Sequence, residues 1–206
     1  MKTNIWNEIF DREGRVFEEC HPDFHKFTEK MQNSGGKRIL DLGCGSGRHL
    51  VALRKLGFEV VGLDAAPRGL LLTQDWLSRE GLTAEVFLQS MFEAFPFPDN
   101  YFDGVLSIQV IHHGILKDVQ TAAMELQRVL KPGGLLWVTV PRGQRAAQHD
   151  IEIEPGTFIP QQGFEKGLPH HIFTPQAFVA LFNKCEVLEQ HEDGKNHQAV
   201  WARKLI

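Results

Sequence analysis

Cysteine is scarce in this chain: Cys20, Cys44 and Cys185 are the only three among 206 residues. Their number is odd, their spacing is wide and no C-x-x-C occurs. This argues against a disulfide framework and favours reduced thiols in a cytoplasmic protein. No apolar run approaches the ~20 residues that cross a bilayer. The first ten residues mix Lys2 and Glu8 with apolar side chains, unlike a secretory leader, so no membrane partner is expected. Basic residues are in no excess, with 22 Lys and Arg against 26 Asp and Glu and a formal charge of −4. That removes the electrostatic ground for a nucleic-acid partner. Repeats and low-complexity tracts are absent too. The remaining composition is globular, 42% apolar and 23% charged, and the length suits one domain with its own core.

One stretch organises the rest: Ile39-Leu40-Asp41-Leu42-Gly43-Cys44-Gly45-Ser46-Gly47-Arg48-His49-Leu50. The apolar run Arg38–Leu42 reads as a buried strand. Three alternate glycines make a turn, and Leu50, Val51, Leu53 and Leu56 resume at helical spacing. Strand, glycine turn and helix together let a ligand approach bare backbone and aim helix N-terminal amides at it. Dinucleotide folds want G-x-G-x-x-G with a phosphate at the helix start. Here Arg48 holds that third position, and Asp41 stands two residues before the first glycine. A carboxylate there repels a pyrophosphate and suits a ligand carrying an ammonium.

At these residues the chain resembles the class I S-adenosylmethionine-dependent methyltransferases, whose first motif is D/E-x-G-x-G-x-G. Two further stretches carry the resemblance. Phe95-Pro96-Phe97-Pro98-Asp99-Asn100-Tyr101-Phe102-Asp103 is similar to the family's loop before the fourth strand. Arg128-Val129-Leu130-Lys131-Pro132-Gly133-Gly134-Leu135 matches its approach to the fifth. The resemblance implies an α/β, Rossmann-like, doubly wound sheet of seven strands. Their order would be 3-2-1-4-5-7-6, with the last strand antiparallel and helices on both faces. It also implies S-adenosylmethionine as cofactor, S-adenosylhomocysteine as product and a small-molecule acceptor.

Read in order, Trp6, Ile9 and Phe10 predict a short helix over Asn4–Asp11. Pro22 opens a second, with Phe24, Phe27 and Met31 on one face. Residues 1–36 thus form a helical appendage before the domain of residues 37–206. Either Trp6 and Phe17 pack as core on the sheet edge, or the appendage is a lid with Arg15 and Phe17 facing the crevice. Cys20, His21 and His25 do not make a tetrahedral metal set, since two are adjacent and no second cluster completes it. No metal is expected.

Phe58–Asp64 is a second buried strand. Asp64 lies ~20 residues beyond the glycine turn, where such folds place a carboxylate for ribose hydroxyls; an N-cap ahead of Pro67 is compatible with the same residue. Ala84–Leu88 is the third strand. The family usually has an acid for the adenine amino group just beyond it; this chain has Ser90, followed by Met91 and Phe92, which can line or stack on the ring. Ala65 and Gln109 complete the cofactor set with Asp41, Gly43, Gly45, Gly47 and Asp64. Val105–Val110 is the fourth strand. The N/D/S-P-P-Y/F signature of base N-methylation is missing after it, which argues further against nucleic acid. His112 and His113 stand there instead. Val119–Leu130 reads as a helix and Leu135–Val140 as the fifth strand.

From Pro141 to about Ile172 no period is evident, and glycines and prolines are frequent. Its apolar side chains Ile151, Ile153, Phe158, Ile159 and Phe164 favour an ordered cap over the acceptor site, residues 141–173. The cap ends at His170 and His171, which with Glu165 form an acid–base or metal-binding candidate. Thr174-Pro175 starts a helix. The strands Glu186–His191 and Ala199–Lys204 form a hairpin around Asp193-Gly194. His112, His113, His170 and His171 are the candidates for a general base, needed only if the acceptor must lose a proton. A binding module without turnover remains an alternative. A nicotinamide oxidoreductase is disfavoured by Asp41 and Arg48. A monomer or homodimer is expected.

Overall fold

A computed structural model describes residues 5–142, 149–194 and 196–206. The expected helix start at Asn4, Gly143 of the cap and Lys195 of the last hairpin lie outside the described residues. Two helices, α1 (Ile5–Glu13) and α2 (Phe24–Asn33), come first. Then β1 (Arg38–Leu42), α3 (Arg48–Lys55), β2 (Glu59–Asp64), α4 (Pro67–Arg79), β3 (Glu85–Leu88) and β4 (Phe102–Ile108) alternate. They are followed by α5 (Leu116–Val129) and β5 (Leu130–Pro141). A small sheet of β6 (Ile151–Glu154), β7 (Thr157–Ile159) and β8 (His170–His171) intervenes. The chain finishes with α6 (Pro175–Ala180), β9 (Cys185–Glu192) and β10 (His197–Lys204).

The main sheet has seven strands in the order β3-β2-β1-β4-β5-β10-β9. β1 to β5 pair in parallel. β10 runs antiparallel to both β5 and β9. Counting only this sheet's strands, the order is the expected 3-2-1-4-5-7-6.

Alternation along the strands divides the core in two. Ile39, Val60, Leu106, Trp137 and Trp201 join Phe27 and Met31 of α2, Leu50 and Leu53 of α3, and Leu77 of α4 on one face. Trp137 and Trp201 stack at 4.9 Å, and Phe27 lies 5.6 Å from Trp137. Leu40, Leu63, Val105, Val138 and Val200 meet Val119, Leu126 and Phe178 on the other. With its two faces covered by helices, the sheet leaves its strand ends as the place for a site.

Three local expectations are corrected. α2 starts at Phe24, not Pro22, because the Phe24 amide closes a turn onto the His21 carbonyl at 2.9 Å. β5 starts at Leu130, not Leu135, with the ladder to β4 irregular between Phe102 and Gly104. The cap is not an irregular loop: Ile151–Glu154 and Thr157–Ile159 pair as a hairpin around Gly156, whose φ is +79°. His170 and His171 add the third strand. Among the described residues, no helix is long and apolar enough to cross a membrane.

Candidate active site

The turn after β1 is closed by the Gly43 amide on the Leu63 carbonyl at 2.7 Å and the Gly47 amide on the Cys44 carbonyl at 2.9 Å. Gly43, Gly45 and Gly47 have φ of +72°, +52° and +95°, values that ordinary L side chains avoid. The space a Cβ would take at each is filled by the protein itself. Val110 would stand 2.3 Å from it at Gly43, Phe10 3.1 Å at Gly45 and Thr73 2.9 Å at Gly47. Their smallness serves the packing of α1, α4 and the loop after β4.

Asp41 is the last residue but one of β1, the strand held between β2 and β4. Its side chain is 2% exposed and its Oδ2 has no hydrogen-bond partner. Burial raises its pKa to about 7, against the pull of the neighbouring Arg48 guanidinium. Arg48, the residue that breaks the dinucleotide pattern, lies 5.2 Å over the Phe17 ring. Asp64 ends β2. Its Oδ2 accepts from the Gly45 amide and its Oδ1 from the Ala66 amide, both at 2.8 Å. Burial pushes the Asp64 carboxyl up, and the amides of Ala66, Gly45 and Ala65 oppose it. Asp64 thus ties the glycine turn to the residue before α4; the N-cap itself is Ala66, which has no side-chain cap bond. Each oxygen keeps a second lone pair for a ligand hydroxyl.

Ser90 Oγ accepts from the Phe92 amide at 3.2 Å, and Phe92 packs on Gly114 beside the histidines. Met91 is partly buried against the core. Gln109 has φ +62°, an uncommon value for a non-glycine residue. Its side-chain amide donates to Thr139 Oγ1 at 3.0 Å, which turns it toward β5.

The loop after β4 and the small sheet bring three of the four candidate histidines together. The His112 and His113 rings are 3.9 Å apart, and His170 lies 5.2 and 5.0 Å from them. Glu165 Oε1 is 3.0 Å from His113 Nε2, and its Oε2 is 3.4 Å from His170 Nε2. Burial raises the Glu165 pKa, but the His113 hydrogen bond outweighs it and the carboxyl is held low. His170 is pushed down to about 4, by burial first and then by His113. His171 stands apart: its Nδ1 meets Thr157 Oγ1 at 2.7 Å and its amide donates to the His112 carbonyl at 2.8 Å. Thr157 donates to Glu154, which accepts from the first amide of α5. These bonds pin the small sheet to the domain.

The N-terminal segment lies over this ground. Ile9 and Phe10 are buried, and Phe10 also touches Gly69 of α4. Trp6 stands 6.0 Å from His113 and 5.8 Å from Phe164. Phe17 is half-exposed, so it is not core, and Arg15 lies over Trp76 at 4.5 Å. Cys20, His21 and His25 do not converge: Cys20 Sγ donates to the Arg48 carbonyl and His25 bonds the Pro22 carbonyl. His21 instead meets Asp193 at 2.5 Å, and His197 meets the same carboxylate at 2.8 Å. No spacing signals that triad, because His21 lies 172 residues before Asp193, although Asp193 and His197 are only four apart. A cleft of about 580 Å³, with Arg142, Phe173, Gln190 and Gln198 in its wall, shares no residue with the glycine turn or the histidine cluster.

Sheet order, acid-led glycine turn and second acid together define a Rossmann-like methyltransferase fold. Residues 40–138 match the family model described as "Methyltransferase domain". "Ubiquinone biosynthesis O-methyltransferase" from Cereibacter sphaeroides is 37% identical over 101 residues, 49% of this chain and 40% of its own. "Uncharacterized methyltransferase sll0829" from Synechocystis is 34% identical over 113 residues, 54% of this chain and 51% of its own. The chain thus spans about half the length, or less, of these relatives. A solved S-adenosylmethionine-dependent methyltransferase from Clostridium acetobutylicum superposes with a TM-score of 0.75 at 14% identity, over 98% of this chain and 99% of its own. Another, from Methanosarcina mazei, gives 0.74 at 24%, over 91% and 99%. Residues 40–138 of the chain thus match a methyltransferase domain, and its fold is that of solved S-adenosylmethionine-dependent methyltransferases.

Proposed function

We propose that this chain transfers a methyl group from S-adenosylmethionine to a small-molecule acceptor, between the glycine turn and the small sheet. The observation that carries the cofactor reading is the buried, unpartnered Asp41 Oδ2 at the end of the central strand. An orphaned carboxylate oxygen is costly unless something meets it, and the methionyl ammonium is a fitting donor. Asp64 would accept from the ribose hydroxyls, with Ala65 beside it. Ser90, Met91 and Phe92 would border the adenine, and Gly43, Gly45 and Gly47 shape the turn beneath. Gln109 would contribute through its backbone, since its side chain is tied to Thr139.

The cofactor, when bound, supplies a methyl already activated on a sulfonium. The protein's work is then mainly to position an acceptor in line, a contribution worth ~7–11 kcal/mol at best. The relative named for O-methyl transfer supports a small acceptor. His113, His112 and His170 line the acceptor side, where Glu165 holds His113 for proton uptake if the acceptor requires it; His171 acts through the scaffold. Residues 1–36 would close over the crevice as a lid, and residues 141–173 would cap the acceptor.

Calorimetric titration with S-adenosylmethionine, S-adenosylhomocysteine and NAD tests this reading. Binding of the first two, and their loss in Asp41→Asn, is the expected result. Binding of NAD alone would sink it. Cofactor binding with no methyl consumption over a broad acceptor panel would leave the non-catalytic module in its place.

A further inference from the structure

We propose that His112, His113 and His170 form a binding site for one divalent transition-metal ion, of the zinc or nickel kind, on the acceptor side of the crevice. Its place on the acceptor side rests on the function proposed above; the metal binding itself does not. One ligand nitrogen from each residue lies within 4.8 Å of the others. Metal–imidazole bonds of about 2.0–2.1 Å put two nitrogens on one ion within about 3.5 Å of each other. Small side-chain rotations cover that difference.

The independent observation is His112. It is 3% exposed, and its Nδ1 is buried with no hydrogen-bond partner. A buried ring nitrogen without a partner is unusual in a folded protein. Beside it are two further imidazoles and no acid within reach of that nitrogen. The three rings lie 3.9 to 5.2 Å apart, close enough for one ion to take a nitrogen from each. Imidazole ligands suit Zn, Ni, Cu and Fe over Mg or Ca.

Glu165 completes the pattern. Its two oxygens face His113 and His170, the arrangement in which a carboxylate orients metal-bound imidazoles from behind. Three protein ligands leave a fourth position open, as in catalytic rather than structural zinc sites. An oxygen or sulfur anion of the acceptor would fill it. The other histidine–carboxylate group, His21, Asp193 and His197, is a weaker candidate, because its members already satisfy one another through Asp193 Oδ2.

The test is calorimetry of untagged, chelator-stripped protein with Zn²⁺ and, separately, Mg²⁺. We expect one Zn²⁺ per chain at micromolar affinity or tighter, and no Mg²⁺ heat. His170→Ala should weaken Zn²⁺ at least tenfold while S-adenosylmethionine binding persists, which shows that the variant is folded. Glu165→Gln should weaken it less. His197→Ala should leave it unchanged. Co²⁺ in place of Zn²⁺ should give a visible ligand-field band that His170→Ala removes. Absence of Zn²⁺ binding, retention of full affinity in His170→Ala, or loss in His197→Ala would each overturn the assignment. Failure of S-adenosylmethionine to bind would count against the cofactor reading alone and leave the metal result to stand by itself.

Discussion

The Trp6 ring in α1 lies 6.0 Å from the His113 ring beyond β4. The first described helix thus reaches the loop that carries the acceptor-side histidines, and through Phe164 it also reaches the small sheet's connection. Phe10 of the same helix fills the space over Gly45. A helix of nine residues is not stable by itself, so its order depends on these contacts. Aromatic pairs add ~0.5–1.5 kcal/mol beyond their area. Trp6→Ala should therefore speed amide hydrogen exchange across Ile5–Glu13 by about tenfold and leave exchange in β1 and β4 unchanged. Equal exchange in both proteins would mean that Ile9 and Phe10 hold the helix alone.

Asp41 carries a pH dependence whose sign follows from its burial. The carboxyl's pKa is raised to about 7, with burial as the main cause and Arg48, Asp64 and the Leu50 amide as its neighbours. Below that pH it is neutral and offers an ammonium no charge. Affinity for S-adenosylmethionine should fall about tenfold between pH 8 and pH 6, one proton being released on binding. Asp41→Asn should bind about 10–100-fold more weakly, the worth of a charged hydrogen bond of ~1.5–3 kcal/mol, and its affinity should be flat over that range. A wild-type profile equally flat would remove Asp41 from the ammonium site.

The sheet was legible in the sequence because its inner strands β1, β2 and β4 are buried on both faces and each ends in a marked turn. Asp41 and Asp64 fall at those ends, so the two acids were legible with them. The small sheet was not. Ile151, Ile153 and the turn at Pro155-Gly156 carry a hairpin pattern, but the strands are four and three residues long and the third partner comes only at His170. No sequence window joins them. The histidine cluster was half legible: all four rings were candidates, yet only contact geometry sends His171 to Thr157 and the other three to one point. Arg48 beside Asp41 and Phe10 over Gly45 are tertiary facts with no local signal.

Arg128 is the clamp of the loop before β4. It binds Glu125 and Asp99, and donates to the carbonyls of Phe97 at 2.8 Å and Phe95 at 3.1 Å. Phe95 and Phe97 are themselves core. Arg128→Ala leaves those carbonyls without their donor and should cost ~2–3 kcal/mol in urea unfolding. Arg128→Lys should recover little, since one ammonium cannot span a planar fork's partners. Burial raises the pKa of Glu125, but its bonds to Arg128 and the Phe95 amide outweigh this and hold it below 4.5. Its contribution is therefore complete above pH 4.5 and is lost as the pH falls through the lowered value. The Arg128→Ala protein should lose that part of the acid sensitivity. Recovery of full stability by the lysine would mean that charge, not geometry, holds the loop.

Gly43 tests how the turn after β1 is built. Two separable penalties attend an alanine there: a backbone at φ +72° and a Cβ placed 2.3 Å from Val110. The first costs ~1–2 kcal/mol for an L residue, the second ~1–3 kcal/mol as overpacking. Gly43→Ala should therefore destabilise by ~2–4 kcal/mol. Val110→Ala removes only the obstruction, so the double variant should regain the second part and keep the first. A double-mutant cycle reads this directly, with a coupling of at least ~1 kcal/mol in favour of the pair. Additive losses would show that Val110 swings aside freely. The glycine would then be required by its backbone angle alone, and Val110 would be free to yield its place to a ligand at no cost to the fold.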